Sequence, residues 1–325
     1  MHEIGSPAVL KLQNIAKPTP QPGQVRLRVR SFGLNRSEVF TRQGHSPGVT
    51  FPRVLGIEAA GEVDLAPGNE FKEGDAVMTA MGGMGRAFDG GYAEYVVVPA
   101  GQVLSVDTSK AFGQGNPIRW DILGALPELM QTAWGSLHVG LQLESSDNLL
   151  VRGGTTGVGL AAIALAKAKG VPVTATSRNP AREAFLRTQG ANDVITDSEG
   201  SIAAEVRKRY PSGFSKILEL VGVTTLEDSL RCAKPGGTVC MTGIAGNKWT
   251  FDQFSPMTSI PTGVRLTTYA GSSDQLLRTP IEDIARGVTA GDIKLPIKAY
   301  PMEEIVEAHR LMEEEGAMAK IVMLT

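Results

Sequence analysis

The sequence predicts an α/β chain, a short-stranded β barrel joined to a unit built on a parallel sheet. Three observations carry this. The first third alternates apolar and polar residues in short runs separated by turns. From about Trp120, strand-like and helix-like segments alternate at a regular interval. From about Val264 the texture turns mixed again.

Taken in order, Gln24–Phe32 (QVRLRVRSF) alternates apolar and cationic residues, the period of a half-buried strand. Gly91–Pro99 is aromatic and β-branched, and Pro99 ends it; turn-rich pieces at Pro20–Gly23 and Pro67–Gly74 lead into Ala76–Thr79. Leu123–Gly140 is expected to be helical, with Leu126, Leu129, Met130 and Ala133 on one face. The expected strands that follow are Asn148–Arg152, Pro172–Ser177, Asp193–Thr196, Lys216–Glu219 and Gly237–Thr242. Between them come helices at Val158–Lys169, Pro180–Thr188, Ser201–Arg209 and Thr225–Cys232. An amphipathic helix at Pro301–Glu315, with Ile305, Ala308, Leu311 and Met312 at helical spacing, precedes a closing strand at Ile321–Leu324.

Composition narrows the function. A length of 325 residues suggests two domains, and 42% hydrophobic with 20% charged residues describes a folded chain. Thirty-two basic against 34 acidic residues leave a net charge of −2, so no nucleic-acid partner is expected. The opening MHEIGSPAVLK lacks the cationic start and apolar run of a secretory signal. Lysines interrupt even Gly159–Gly170, so no membrane span is expected. Only Cys232 and Cys240 carry thiols, too few for a disulfide framework and consistent with a reducing cytoplasm. Glycine, at 38 residues, stands well above average usage.

The most informative motif is Leu149–Leu160, LLVRGGTTGVGL. An apolar strand runs into glycines and then into an alanine-rich helix, the context of a dinucleotide fingerprint. Gly154 and Gly159 fill the outer glycine positions and Thr156 the middle one. Thr155 and Thr156 can offer hydroxyl donors in place of the missing glycine, and Gly157 and Val158 complete a small loop at a helix N-terminus. The alternative is a strand–helix turn without ligand. The next strand ends Thr176-Ser177-Arg178-Asn179 with Arg182 behind it, offering cations where an acid would hold a ribose hydroxyl. Ser177, Arg178 and Arg182 therefore suggest a 2′-phosphate and NADPH, against the alternative of solvated helix-start arginines.

Beyond this motif, Phe51–Val63 (FPRVLGIEAAGEV), Phe71–Met78 (FKEGDAVM), Gly90–Pro99, Leu126–Leu137 (LPELMQTAWGSL) and Ala308–Leu324 resemble elements of the medium-chain dehydrogenase/reductase superfamily. The resemblance implies a GroES-like β-barrel substrate domain (1–118 and 264–325) interrupted by a Rossmann doubly wound domain (119–263), with the active site in the cleft between them. The family usually opens with one more short strand, so that barrel edge is expected to be covered differently. Zinc-dependent members carry a Cys and a His where this chain has Asn35 and Ile57, and a cysteine-rich lobe that it lacks. No metal is therefore expected, and the resemblance is to the zinc-free quinone oxidoreductase branch, which shows the same Gly-Leu-Asn.

The resemblance also assigns roles. Asn35 would line the nicotinamide pocket and is the one candidate for catalysis; Thr132 would lie near the nicotinamide amide, and Gly243 at an open strand end. Lys320 matches a terminal Gly-Lys element with Ala319 replacing glycine, while Arg42 and His45 fall on the loop expected to shape substrate choice. Tyr92 reads as a packed barrel residue, and Thr196 stands where close quinone reductases carry a tyrosine. No proton donor is evident. The expected activity is zinc-independent, NADPH-dependent hydride transfer to quinones or α,β-unsaturated carbonyls. The alternatives are an enoyl thioester reductase and a non-catalytic NADPH-binding structural or sensor protein. A homodimer is expected, paired near Thr238–Thr242 or Trp249–Leu266.

Overall fold

The alternation in the first third becomes β1 (Gln24–Gly33), followed by β2 (Glu58–Leu65), β3 (Ala76–Ala80), β4 (Tyr95–Pro99) and β5 (Val103–Ser105). The strand–helix region supplies β6 (Leu149–Arg152), β7 (Val173–Ser177), β8 (Asp193–Thr196), β9 (Phe214–Glu219), β10 (Ala233–Met241) and β11 (Arg265–Thr268). The chain ends through β12 (Ile297–Pro301) and β13 (Lys320–Leu324). These elements come from a computed structural model that describes residues 1–314 and 317–325.

The chain divides into two units. The first comprises Met1–Gln131, Gly271–Gly291 and Pro296–Thr325, and the second Thr132–Ala270 and Asp292–Leu295. In the first, a seven-stranded sheet runs β12-β13-β1-β2-β3-β5, with β4 also on β1. All pairings are antiparallel except β12 with β13. Val25, Leu27 and Val29 of β1 enter the core, each fully buried aliphatic side chain worth about 1.5–3 kcal/mol. The intervening Arg26 and Arg30 pair instead with Asp64 and Glu62 of β2. In the second unit a six-stranded parallel sheet runs β11-β10-β9-β6-β7-β8. That is the Rossmann order, and its direction of growth reverses between β6 and β9, where such sheets open towards ligands.

The division differs from the expected boundaries at 118/119 and 263/264 for local reasons. The helical turn Trp120–Leu123 belongs to the first unit because the Ser31 hydroxyl donates to the Trp120 carbonyl at 2.7 Å. Residues from Val264 stay with the second unit as far as Ala270 because β11 extends its sheet beside β10. The expected helix Leu123–Gly140 is three pieces, Trp120–Leu123, Pro127–Gly135 and a π-helical Ser136–Gly140, with Gly124 and Pro127 marking the first break. The last helix is Ile305–Glu314, since Pro301 ends β12 and Met302–Glu304 is 3₁₀. Its expected last residue, Glu315, lies outside the described residues.

The strand expected from Gly91 starts only at Tyr95. Gly90 and Gly91 are instead needed for close backbone approach. A Cβ on Gly90 would lie 2.1 Å from the Gly56 carbonyl oxygen, and one on Gly91 2.2 Å from that of Glu58. Part of the glycine excess therefore serves interlocked loops of the first unit.

Candidate functional site

In the second unit, β6 ends at Arg152 and the chain turns through Gly153 at φ +86°. The N–H groups of Gly153 and Gly154 donate to the Thr176 hydroxyl (3.1 Å) and carbonyl (3.0 Å), fastening the turn to the end of β7. A Cβ on Gly154 would sit 2.9 Å from that of Ala175, and one on Gly159 only 2.5 Å from the Gly153 carbonyl oxygen, so both positions require glycine. Thr156 caps the helix Gly157–Ala168. Its hydroxyl donates to the Gly153 carbonyl (2.8 Å) and accepts from the Gly159 N–H (3.0 Å).

That cap corrects one expectation: the Thr156 proton is spent within the turn and is not available to a phosphate. Thr155, Thr156, Gly157 and Val158 are half-buried. The N–H groups of Gly157 and Val158 lie ahead of the first intrahelical bond, at the positive end of a twelve-residue helix.

At the end of β7 the Ser177 hydroxyl donates to the Asn179 carbonyl (3.0 Å) and accepts from its N–H (3.2 Å), so this group too is used locally. Arg178 is exposed and has no hydrogen-bond or ion-pair partner among the described residues. Arg182 is half-buried where the helix Glu183–Gln189 begins. Gly243 follows β10, where a Cβ would lie 2.2 Å from the Leu220 carbonyl oxygen. Thr132 is buried in the helix Pro127–Gly135, and its carbonyl accepts the Ser136 hydroxyl at 2.7 Å.

Beneath the glycine turn lies a charged network that sequence reading missed. Arg152, fully buried, donates from Nε and Nη2 to Asp197 (2.7 and 3.2 Å) and from Nη1 to Asp228 (2.5 Å) and Ser229 (3.2 Å). Burial alone would lower the guanidinium pKa, but Asp197, Glu219 and Asp228 raise it. Asp228 also accepts from the Ile202 and Ala203 N–H groups at the start of the helix Ala203–Arg209. Glu219, at the end of β9, accepts from Val221 N–H, Gly222 N–H and the Ser229 hydroxyl, and burial pushes its pKa up.

The first unit holds a second buried polar group. Glu58 accepts from the Lys320 ammonium (2.7 Å), the Asn35 amide (2.8 Å) and the Glu128 N–H (2.7 Å). Lys320 also donates to the Asn35 Oδ1 at 2.6 Å. Asn35 and Lys320 are thus brought together, and Lys320 is only 4% exposed. The Asn35 amide is oriented by both charges and retains one N–H not used by this group. Beside it, Glu38 accepts from the Ile57 and Asn35 N–H groups (2.9 and 3.1 Å) at the start of the helix Arg36–Arg42. Burial raises its pKa to about 7, with the nearby Glu58 adding to the rise. The Asn35-x-x-Glu38 spacing is a capping-box signal that could have identified it.

Arg42 is not a loop residue. It ends the helix Arg36–Arg42, is fully buried, and donates to Glu313 and the Gly5 carbonyl. His45 is exposed. Tyr92 stacks on Phe32 and bonds His309 Nε2 at 3.1 Å, in keeping with a packed role. Burial, assisted by Arg42, lowers the His309 pKa to about 3, so it is neutral at physiological pH.

Comparison with known proteins agrees with these folds. Residues 21–108 match the family model of the alcohol dehydrogenase GroES-like domain, and residues 157–285 that of the zinc-binding dehydrogenases. The chain is 28% identical to a quinone oxidoreductase of Pongo abelii over 329 residues, covering 99% of this chain and 95% of that protein. It is 27% identical to a quinone oxidoreductase of Pseudomonas aeruginosa over 337 residues, covering 98% and 97%. The crystal structure of Escherichia coli quinone oxidoreductase complexed with NADPH superimposes with a TM-score of 0.86 at 20% identity, covering 100% of this chain and 98% of that one. One of the matched models is named for zinc, yet the donor set here does not suit that ion. Among the described residues no three His, Cys, Asp or Glu side chains are grouped to hold a metal. Asn35 instead neighbours the Lys320 ammonium, itself a cation.

Proposed function

The chain belongs to the medium-chain dehydrogenase/reductase superfamily, in its quinone oxidoreductase-like group, and on that premise we propose that it is a zinc-independent, NADPH-dependent reductase of quinones or α,β-unsaturated carbonyls. The observation that carries this is the end of β7. The glycine turn after the neighbouring β6 fits a pyrophosphate, and an exposed, unpartnered Arg178 follows β7, while Asp197, just past β8, is locked onto Arg152. A cation without a competing carboxylate favours a 2′-phosphate over a bare ribose hydroxyl.

Gly154 and Gly159 let the turn close against β7 and on itself, and the N–H groups of Gly157 and Val158 receive the pyrophosphate charge. Thr155 borders the same turn, and Thr156 keeps it in shape. Arg178 takes the 2′-phosphate, with Ser177 shaping its turn and Arg182 behind. Thr132 and Gly243 border the nicotinamide. When bound, NADPH supplies the hydride. Asn35, held rigid by Glu58 and Lys320, offers its remaining N–H to the carbonyl oxygen on which negative charge develops. Water protonates the product. Lys320 takes the place of a metal as the fixed cation of this group. The chain works as a homodimer joined along β11, the edge strand of the parallel sheet, and in the cytoplasm; no helix among the described residues is long and apolar enough to cross a membrane.

The test is NADPH loss measured with a panel of quinones, small enones and enoyl thioesters, with NADH as control. Turnover of quinones or enones is expected. Turnover of thioesters alone would select the enoyl thioester reductase, and tight NADPH binding with no turnover would select a sensor.

A further inference from the structure

The glycine turn and the Arg178 turn are joined by a closed ring of bonds. Chain connectivity links Arg152, Gly153 and Gly154. The last two donate to Thr176, at 3.1 Å to its hydroxyl and 3.0 Å to its carbonyl. Thr176 leads into Ser177, whose carbonyl accepts from the Asp197 N–H at 2.9 Å. The Asp197 carboxylate closes the ring on the Arg152 guanidinium with two bonds, at 2.7 and 3.2 Å. Arg152 is fully buried and Asp197 5% exposed, so neither is placed to touch a bound nucleotide directly.

A second set of bonds fixes the ring from below. Arg152 Nη1 also reaches Asp228 and Ser229, and Asp228 holds the first N–H groups of the helix Ala203–Arg209. A planar fork suits this task better than an ammonium, because both carboxylates are engaged at once in set directions.

We propose that Arg152 and Asp197 are positioning residues for cofactor selection: their ring sets the spacing between the pyrophosphate turn and Arg178, and so the preference for a 2′-phosphate. The inference rests on the NADPH reading. If the ring loosens, Arg178 keeps its charge and exposure but loses its fixed distance from the pyrophosphate, so discrimination falls more than general affinity.

The experiment compares binding of 2′,5′-ADP and 5′-AMP, by calorimetry, to the full-length chain and to Arg152→Lys, Asp197→Asn and Thr176→Val, each held well below its melting temperature. Arg178→Ala serves as the reference for lost discrimination. The ratio of the two dissociation constants is expected to fall about tenfold in Arg152→Lys and Asp197→Asn, and less in Thr176→Val, which removes one bond and no charge. A folded variant that weakens both ligands equally, or neither, overturns the proposal. Should the charged variants fail to fold, Thr176→Val alone decides it by whether the ratio moves. If the unaltered protein shows no preference for 2′,5′-ADP, the NADPH reading itself has failed, an outcome separate from an unchanged ratio in the variants.

Discussion

Glu38→Gln isolates the effect of one buried carboxyl on the first unit. Glu38 is 1% exposed and its pKa is raised by burial from an ordinary 4.5 to about 7. In the native state it therefore retains a proton over a range in which the unfolded chain has lost it. Where the native state binds more protons, stability falls as pH rises. The contribution is fully present below pH 4.5 and lost on passing through pH 7, a loss of about 3 kcal/mol. Glutamine cannot titrate. It can still accept from the Ile57 N–H, but its NH₂ cannot also accept from the Asn35 N–H, a loss of about 1–2 kcal/mol. The variant should be the less stable protein at pH 5 and the equal or more stable one at pH 8. Urea titrations from pH 5 to 8, followed by hydrogen exchange of β1 and β2 amides, give the gap for this unit alone. A gap that stays constant with pH refutes the reasoning, because no native proton would then be held at Glu38.

Other perturbations reach the second unit. Arg178→Ala should weaken NADPH binding by about 10- to 100-fold, the worth of a charge-assisted contact, and leave NADH unchanged; fluorescence titration reads both. Gly154→Ala places a methyl 2.9 Å from the Ala175 Cβ, so a melting curve should show a loss of about 1–3 kcal/mol, together with weaker NADPH binding. Light scattering should give about twice the 34.4 kDa chain mass. Thr268→Pro in β11, where the backbone N–H faces away from β10, should reduce this to the monomer while leaving the parallel sheet's own pairings intact.

What the sequence showed clearly was local. Leu149–Leu160 carries strand, turn and helix in twelve neighbouring residues, and the regular spacing of later segments yields a parallel sheet from hydrophobic period alone. Groups assembled over long separations were hidden. Lys320 lies 262 residues from Glu58, and Arg152 lies 45 and 76 residues from Asp197 and Asp228. Nothing in the order of residues pairs them. Arg152 reads as one strand end and Asp197 stands just past another, until the sheet brings those ends together. Thr156 shows the opposite case. Its place in the motif was plain, but whether its hydroxyl faced ligand or turn depended on a local carbonyl direction that a one-dimensional pattern does not contain.

The central claim is hydride transfer from NADPH to an activated double bond, and stereospecifically deuterated NADPH tests it most directly. With a small cyclic enone as acceptor, mass spectrometry of the product is predicted to find one deuterium, placed on the β-carbon and delivered from one face of the nicotinamide only. Product lacking the label, or no product while NADPH remains tightly bound, would contradict the account.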